Sequence, residues 1–337
     1  MNEPILSICI PSYNRPVELK RLLESIDTNN SDVEIVIRED KSPKREEVRK
    51  VVEEYSKKSR YSVNYIENDI NFGYDKNIRQ SAKAALGKWV LFMGDDDTFV
   101  QGALDKYIEF LKENPDLGYV LRRYRNVMND GTEEDYRYAK ENVFFDPGER
   151  TIVELFRRSL FISGFAFQKQ FFDGFEETIF DGTLLFQLYI LSCVCQKHKS
   201  AYCDILITQS IEGGTPFFGV AESEKKLYES GKNGIAGSLN FMAQVPFMTR
   251  EIDKKIGTKI TEPIMLSYSK YSYGFLHEHR QDGIKAFNKY TKGLIDLGFA
   301  KTYHFYIYYL GLLILGKKNC QKIIRAIKKK RGSTPHL

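Results

Sequence analysis

Leu91-Phe92-Met93-Gly94-Asp95-Asp96-Asp97 is the stretch on which the reading of this chain turns. Residues 88–93 form an apolar run of strand length, and a helix is expected over 102–114. Between them stand one glycine and three consecutive carboxylates. Adjacent carboxylates behind a buried strand repel one another, so the loop is costly to hold unless a cation neutralises it. Mg²⁺ and Mn²⁺ are hard ions that take oxygen ligands and are shared with substrate phosphates. Asp95 and Asp97, spaced Asp-x-Asp, are the expected metal ligands, with Asp97 the more direct. Asp95 and Asp96 are expected beside a bound diphosphate.

Outward from this loop the first half of the chain alternates strands and helices. Strands are expected at 6–10, 33–38, 62–67 and 88–93, and helices at 16–26, 44–57, 75–85 and 102–114. This rhythm predicts an α/β fold with a mostly parallel sheet covered by helices on both faces. Further on, strands are expected at 161–167 and 205–211, with a helix at 183–196. From about Glu222 the pattern is helical. The expected division is a catalytic domain over residues 1–220 and a helical region over 221–337.

Ligands on such sheets collect at the carboxyl ends of the strands. The first strand ends in Pro11-Ser12-Tyr13-Asn14-Arg15-Pro16, where Pro16 opens a helix; taken alone this loop reads as an ordinary capped turn, and it can also lie over a nucleotide. After the second strand comes Glu39-Asp40-Lys41-Ser42, whose Asp40 is suited to accept hydrogen bonds from a base or ribose.

Together these residues resemble the inverting family-2 glycosyltransferases with the GT-A fold. The resemblance runs over roughly residues 5–215. It rests on Ile10-Pro11-Ser12-Tyr13-Asn14-Arg15, Glu34-Ile35-Val36-Ile37 leading into Glu39-Asp40-Lys41-Ser42, Asn71-Phe72-Gly73, the Asn77 helix, Ala85-Leu86-Gly87-Lys88-Trp89-Val90 and the Asp triplet. The Gly-Asp-Asp-Asp loop is most similar to that of abequosyltransferase-like enzymes of surface-polysaccharide assembly (O-antigen and capsule). The resemblance implies a nucleotide-diphosphate sugar donor held by Pro11, Ser12, Tyr13, Asn14, Arg15, Asp40, Asn71, Gly73, Asn77, Asp95 and Asp96. It implies Mn²⁺ or Mg²⁺ as cofactor and a saccharide acceptor, lipid-linked, with no nucleic-acid partner. Phe180-Asp181-Gly182-Thr183-Leu184-Leu185-Phe186-Gln187-Leu188 falls on the family's Glu-Asp-x-Asp-Leu-x-x-Arg-Leu segment. It places Asp181 at the catalytic base position, while Phe180, Thr183 and Gln187 depart from the pattern. Processive members carry Gln-x-x-Arg-Trp; the single Trp, Trp89, lies in the fourth strand, so one-sugar addition is expected.

Other readings are weaker. A nucleotidyltransferase should show a Gly-rich basic loop after the first strand, and residues 11–16 have none. A non-catalytic nucleotide-sugar binder would share the motifs without turnover. Gly311 to Lys318 lacks the Ser or Thr of a P-loop, and no Gly-x-Gly-x-x-Gly follows a strand. Five scattered cysteines do not form a disulfide framework, which favours a reducing compartment.

Charge is distributed unevenly. The formal net charge is +5, yet nine Lys and Arg and no acidic residue follow Asp296, which leaves 5 − 9 = −4 for the remainder. The apolar run over 303–316 is shorter than the ~20 residues of a spanning helix. Its tyrosines and the basic residues after it predict docking on an anionic membrane. The expected location is cytoplasmic, peripheral at the inner face of the cell membrane.

Overall fold

The computed structural model describes residues 3–214, 217–232 and 234–331, the last four of them by backbone alone. The first half follows the predicted alternation: β1 (Leu6–Ser12), α1 (Pro16–Ser25), β2 (Val33–Glu39), α2 (Arg45–Ser56), β3 (Ser62–Glu67), α3 (Tyr74–Ala84), β4 (Trp89–Phe92), β5 (Thr98–Phe99) and α4 (Ala103–Glu113). Local chemistry explains these elements. Pro16 occupies the first turn of α1, where its missing N–H costs nothing, and Leu19, Leu22 and Leu23 give the helix one buried face. β1 and β2 are buried in nearly every position because both faces of the sheet are covered.

The remaining elements are β6 (Tyr119–Val127), β7 (Glu133–Tyr136), β8 (Val143–Phe145), α5 (Glu149–Phe156), β9 (Ala166–Gln168), α6 (Phe186–Lys197) and β10 (Ser200–Ile211), then α7 (Ile235–Ile256), α8 (Thr261–Lys270), α9 (Tyr273–Leu276), α10 (Ile284–Asp296) and α11 (Tyr303–Arg331). The sheet order is β3-β2-β1-β4-β9-β6-β10-β5, with β7 on β6 and β8 on β10. It is parallel from β3 through β4 and mixed beyond, since β9 runs antiparallel to both β4 and β6. The expected parallel arrangement holds across β3-β2-β1-β4 and again between β6 and β10, with antiparallel strands inserted between and beside them.

Three local expectations are corrected. The strand predicted over 161–167 shrinks to β9, because the buried Arg122 guanidinium donates to the carbonyls of Phe161 and Ser163 and takes the place of a strand partner. The helix predicted from 183 begins at Phe186. The carboxylate of Asp75, on α3, caps it by accepting from the N–H groups of Gly182, Leu184 and Phe186. A cap supplied from another helix leaves no local signal. The last strand starts at Ser200, earlier than the expected 205, and register shifts between Cys203 and Thr208 break its alternation.

Two apolar clusters sandwich the sheet. One lies under α1, α2 and α4; the other joins α5 and α6 to α7, α8, α10 and α11. The helical region beyond residue 221 thus shares the core of the sheet's second face. Trp89 is fully buried in the first cluster. Phe305 and Leu312 of α11 are fully buried as well, so the apolar run of residues 303–316 is partly core. Among the described residues, no helix is long and apolar enough to cross a membrane.

Candidate active site

The Asp triplet sits where β4 ends, and its neighbours are drawn in from three other segments. Tyr13 donates its backbone N–H to Asp95 Oδ2 at 2.9 Å. The Arg15 guanidinium contacts Asp95 Oδ1 at 2.9 Å and Asp96 Oδ2 at 3.2 Å. From α1, Arg21 donates to the Asp96 carbonyl at 2.7 Å. Ser163 accepts from the Gly94 N–H at 2.8 Å and donates to Asp97 Oδ2. Space at Gly94 is tight: a Cβ there would stand 3.1–3.3 Å from the side chains of Asp97, Asp96 and Ser163, which would have to shift to admit it.

Burial pushes the Asp97 carboxyl up to about 7, and repulsion from Asp96 adds to it. Burial likewise raises Asp95 to about 6, with Arg15 opposing the rise. These are hard oxygen donors that lack enough positive charge around them, the situation a divalent cation relieves. Among the described residues no group of three or more His, Cys, Asp or Glu side chains could hold an ion unaided. The loop therefore fits a metal whose shell is completed by diphosphate oxygens and water, as Mg²⁺-type ions favour. Only the ionised carboxylate binds metal, so affinity rises with pH through the 6–7 window and levels above it. The Tm increase given by Mn²⁺ with a nucleoside diphosphate is expected to be clearly larger at about pH 8 than at about pH 5.5. Equal shifts at the two pH values, by scanning fluorimetry, would contradict this.

Asp40, at the end of β2, lies at the other side of the cavity. Its Oδ1 accepts from Asn68 Nδ2 and the Phe72 N–H at 2.7 Å each, and its Oδ2 from the Gly73 N–H at 2.9 Å. Asn68 also donates to Asn77 Oδ1, and Asn71 Nδ2 to the Asp40 carbonyl. A carboxylate has about four lone-pair sites, so Asp40 keeps one for a ligand while it ties the turn before α3 to β2. Burial shifts its proton affinity upward.

One cavity of about 650 Å³ collects these groups: Pro11, Ser12, Tyr13, Arg15, Asp40, Asn71, Gly73, Asn77 and Asp95 to Asp97 all line it. Asn14 does not; it adopts φ 62° and turns the chain between β1 and α1. Asp181 is also missing from the lining, although Leu184 and Leu185 in the same loop are part of it. Its carboxylate is held by both Nη atoms of Arg79, at 2.6 and 3.1 Å. Glu177 pairs with Lys255 and Glu176 with Lys83, so three ion pairs staple this loop to α3 and α7.

Several cavity residues were not anticipated. A strap follows β10: Phe217 meets the Tyr13 ring and the Arg15 guanidinium, and Phe218 packs edge-on against Tyr74. Buried Glu224 accepts from the Tyr74 N–H at 2.7 Å and the Gly219 N–H at 2.8 Å, which pins the strap to the start of α3. The far wall comes from the helical region, with Phe241, Met242, Phe275, Glu278 and Tyr290. Gly213-Gly214 and Phe217-Phe218 were visible as a turn followed by aromatic residues, but nothing local tied them to Tyr13.

Residues 7–173 match glycosyl transferase family 2. An uncharacterized glycosyltransferase of Haemophilus influenzae is 33% identical over 129 residues, which is 38% of this chain and 42% of that protein. The GalNAc(5)-diNAcBac-PP-undecaprenol beta-1,3-glucosyltransferase of Campylobacter jejuni is 25% identical over 209 residues, 59% of this chain and 62% of the relative. The aligned segments thus span less than two thirds of either relative. Among solved structures, S. aureus TarS 1–349 in complex with UDP-GlcNAc superposes with a TM-score of 0.57 at 15% identity, over 94% of this chain and 91% of the other. At that identity the likeness concerns the fold.

Proposed function

The chain belongs to glycosyl transferase family 2 through residues 7–173, and from that premise we propose that it is a metal-dependent, inverting enzyme that moves one sugar from a nucleoside diphosphate to a lipid-linked saccharide in surface-polysaccharide assembly. The observation that carries the reading is the meeting of the Asp triplet, the loop after β1 and Asp40 around one cavity. The TarS complex holds UDP-GlcNAc in a related fold, which supports a nucleotide-sugar donor. The Campylobacter relative is named for a PP-undecaprenol-linked saccharide, which supports a lipid-linked acceptor and a place at the inner face of the cell membrane.

In this account residues 1–220 bind the donor and the helical region supplies the far, acceptor-facing wall. Mn²⁺ or Mg²⁺ held by Asp95 and Asp97 would supply charge stabilisation to the departing diphosphate. The residues of the chain do the rest. Asp40, with Asn71, Gly73 and Asn77 around it, orients the nucleoside. Pro11, Ser12 and Tyr13 lie alongside it, and Asn14 shapes their turn. Arg15 keeps Asp95 and Asp96 in place. The aromatic strap limits access of water from above. Asp181 takes the proton of the acceptor hydroxyl as it attacks the anomeric carbon, and the two Arg79 hydrogen bonds fix the orientation of that carboxylate. A single displacement of this kind inverts the anomeric configuration.

Incubation with a panel of nucleotide-diphosphate sugars tests the reading. Mn²⁺-dependent release of nucleoside diphosphate from one donor is expected, and no release from any donor would overturn it. In the same assay series, Asp40→Ala should weaken nucleoside diphosphate binding by about 1–3 kcal/mol, the cost of an unpaired buried partner. An unchanged Kd by calorimetry would count against that assignment.

A further inference from the structure

Of the large apolar side chains exposed among the described residues, 8 of 17 lie on α11, six of them before the break at Gly316 and two after it. Tyr303, Ile307, Leu310 and Ile314 follow one another at intervals of four, three and four residues, which sets them in one stripe. Tyr306 and Leu315 flank it, and the exposures run from 44% at Leu315 to 77% at Ile314. The opposite face is the one that packs on the protein. Phe305 and Leu312 are buried there, and Arg280 Nε donates to the Leu312 carbonyl at 2.8 Å. A helix that is apolar around its whole circumference belongs inside a protein or a membrane, yet half of this one faces outward.

Gly316, at φ 73° and ψ 169°, kinks α11 just past the stripe. The basic segment begins immediately after. Lys318, Lys322 and Arg325 are exposed, and so are Ile323 and Ile327. Lys317 contacts Gln281, and Asp130 on the β6–β7 turn is an acidic group in the neighbourhood of Arg325. The side chains of Lys328, Lys329, Lys330 and Arg331 lie outside the described residues, but their charges add to a stretch without any acidic residue after Asp296.

We propose that the exposed face of α11 is an interfacial membrane-binding surface for an anionic lipid bilayer, with the stripe of 303–314 entering the headgroup–acyl boundary and the basic segment beyond Gly316 lying on the phosphates. Charge complementarity selects lipid over a second copy of the chain: two copies would bring two acid-free basic segments together, whereas an anionic leaflet neutralises both. The surface deepens the lipid-linked acceptor reading above, but binding to vesicles is measured without turnover, so either reading can fail alone.

The test is co-sedimentation of the full chain with phosphatidylcholine vesicles containing about one quarter phosphatidylglycerol. Because α11 contributes Phe305 and Leu312 to the core, surface variants replace truncation. Wild type is expected to pellet with these vesicles, and with pure phosphatidylcholine at least about fivefold less. Binding should fall about as much in roughly 0.5 M salt. Ile307→Glu/Leu310→Glu/Ile314→Glu should abolish pelleting, and Lys318→Glu/Lys322→Glu/Arg325→Glu should reduce it on anionic vesicles. Both variants should keep the wild-type Tm, which excludes misfolding. Binding indifferent to anionic lipid and salt, unchanged pelleting of the apolar variant, or a concentration-dependent dimer that ignores vesicles would overturn the proposal.

Discussion

Asp97→Asn is expected to reduce sugar transfer by on the order of 10²–10³-fold or more, while the Tm of the metal-free protein at about pH 8 stays at or above that of wild type. The two halves of this result have one cause. Asp97 is 4% exposed and next to Asp96, and burial raises its carboxyl to about 7. A raised carboxylate pKa means that the folded state binds a proton the unfolded state has already lost. Between the ordinary Asp value and about 7, stability falls as pH rises; above about 7 the whole cost is present. Asparagine removes that cost and can still accept from Ser163 through its amide oxygen, but it cannot replace a charged metal ligand. A variant that unfolds early would mean that Asp97 holds the loop together. One that retains most of its turnover would remove Asp97 from the metal.

Asp181→Asn is expected to fail in two separable ways. Arg79 is 2% exposed at its side chain, and both of its terminal nitrogens are engaged by this one carboxylate. Loss of the negative partner strands a buried cation, at about 1–3 kcal/mol once the 19% exposure of Asp181 and the oxygen retained by Asn are considered. Turnover should also fall by about 10²–10⁴-fold, the usual contribution of a positioned base, with nucleotide binding retained. The double change Arg79→Met/Asp181→Leu separates the effects, because it leaves no unpaired charge. Under the proposed role it recovers the melting temperature and not the transfer. Recovery of both would make the pair a staple of the loop at 176–181, equivalent to Glu177–Lys255 beside it, and would move the base elsewhere.

The sequence exposed the first four strands, their helices and the Asp loop because those features depend on local rules: apolar runs, a proline in a first turn, carboxylates after a strand. It also exposed the grouping of Arg15, Asp40 and Asp95, since carboxyl ends of parallel strands converge. What stayed hidden depends on partners far along the chain. Asp75 caps a helix more than a hundred residues away, and Arg122 satisfies carbonyls that would otherwise pair in a strand. Glu224 is pinned to the Tyr74 N–H by contacts that no window of sequence contains. The motif led to Asp181 as an expected base, but nothing in it announced the ion pair with Arg79, because ion pairing between a helix and a remote loop leaves no periodic trace. The tail was legible as apolar then basic. That one face of the apolar segment is core and the other bare required the packed structure.

Under the proposed function, the loop of Asp95 and Asp97 and the Asp40 pocket hold one metal–nucleotide unit between them. Anomalous diffraction at the manganese edge, from crystals grown with Mn²⁺ and a nucleoside diphosphate, tests it most directly. A single strong peak beside the Asp97 carboxylate is expected, with the base beside Asp40. Nucleotide density elsewhere, or a bound nucleotide with no anomalous peak at the Asp loop, would contradict it.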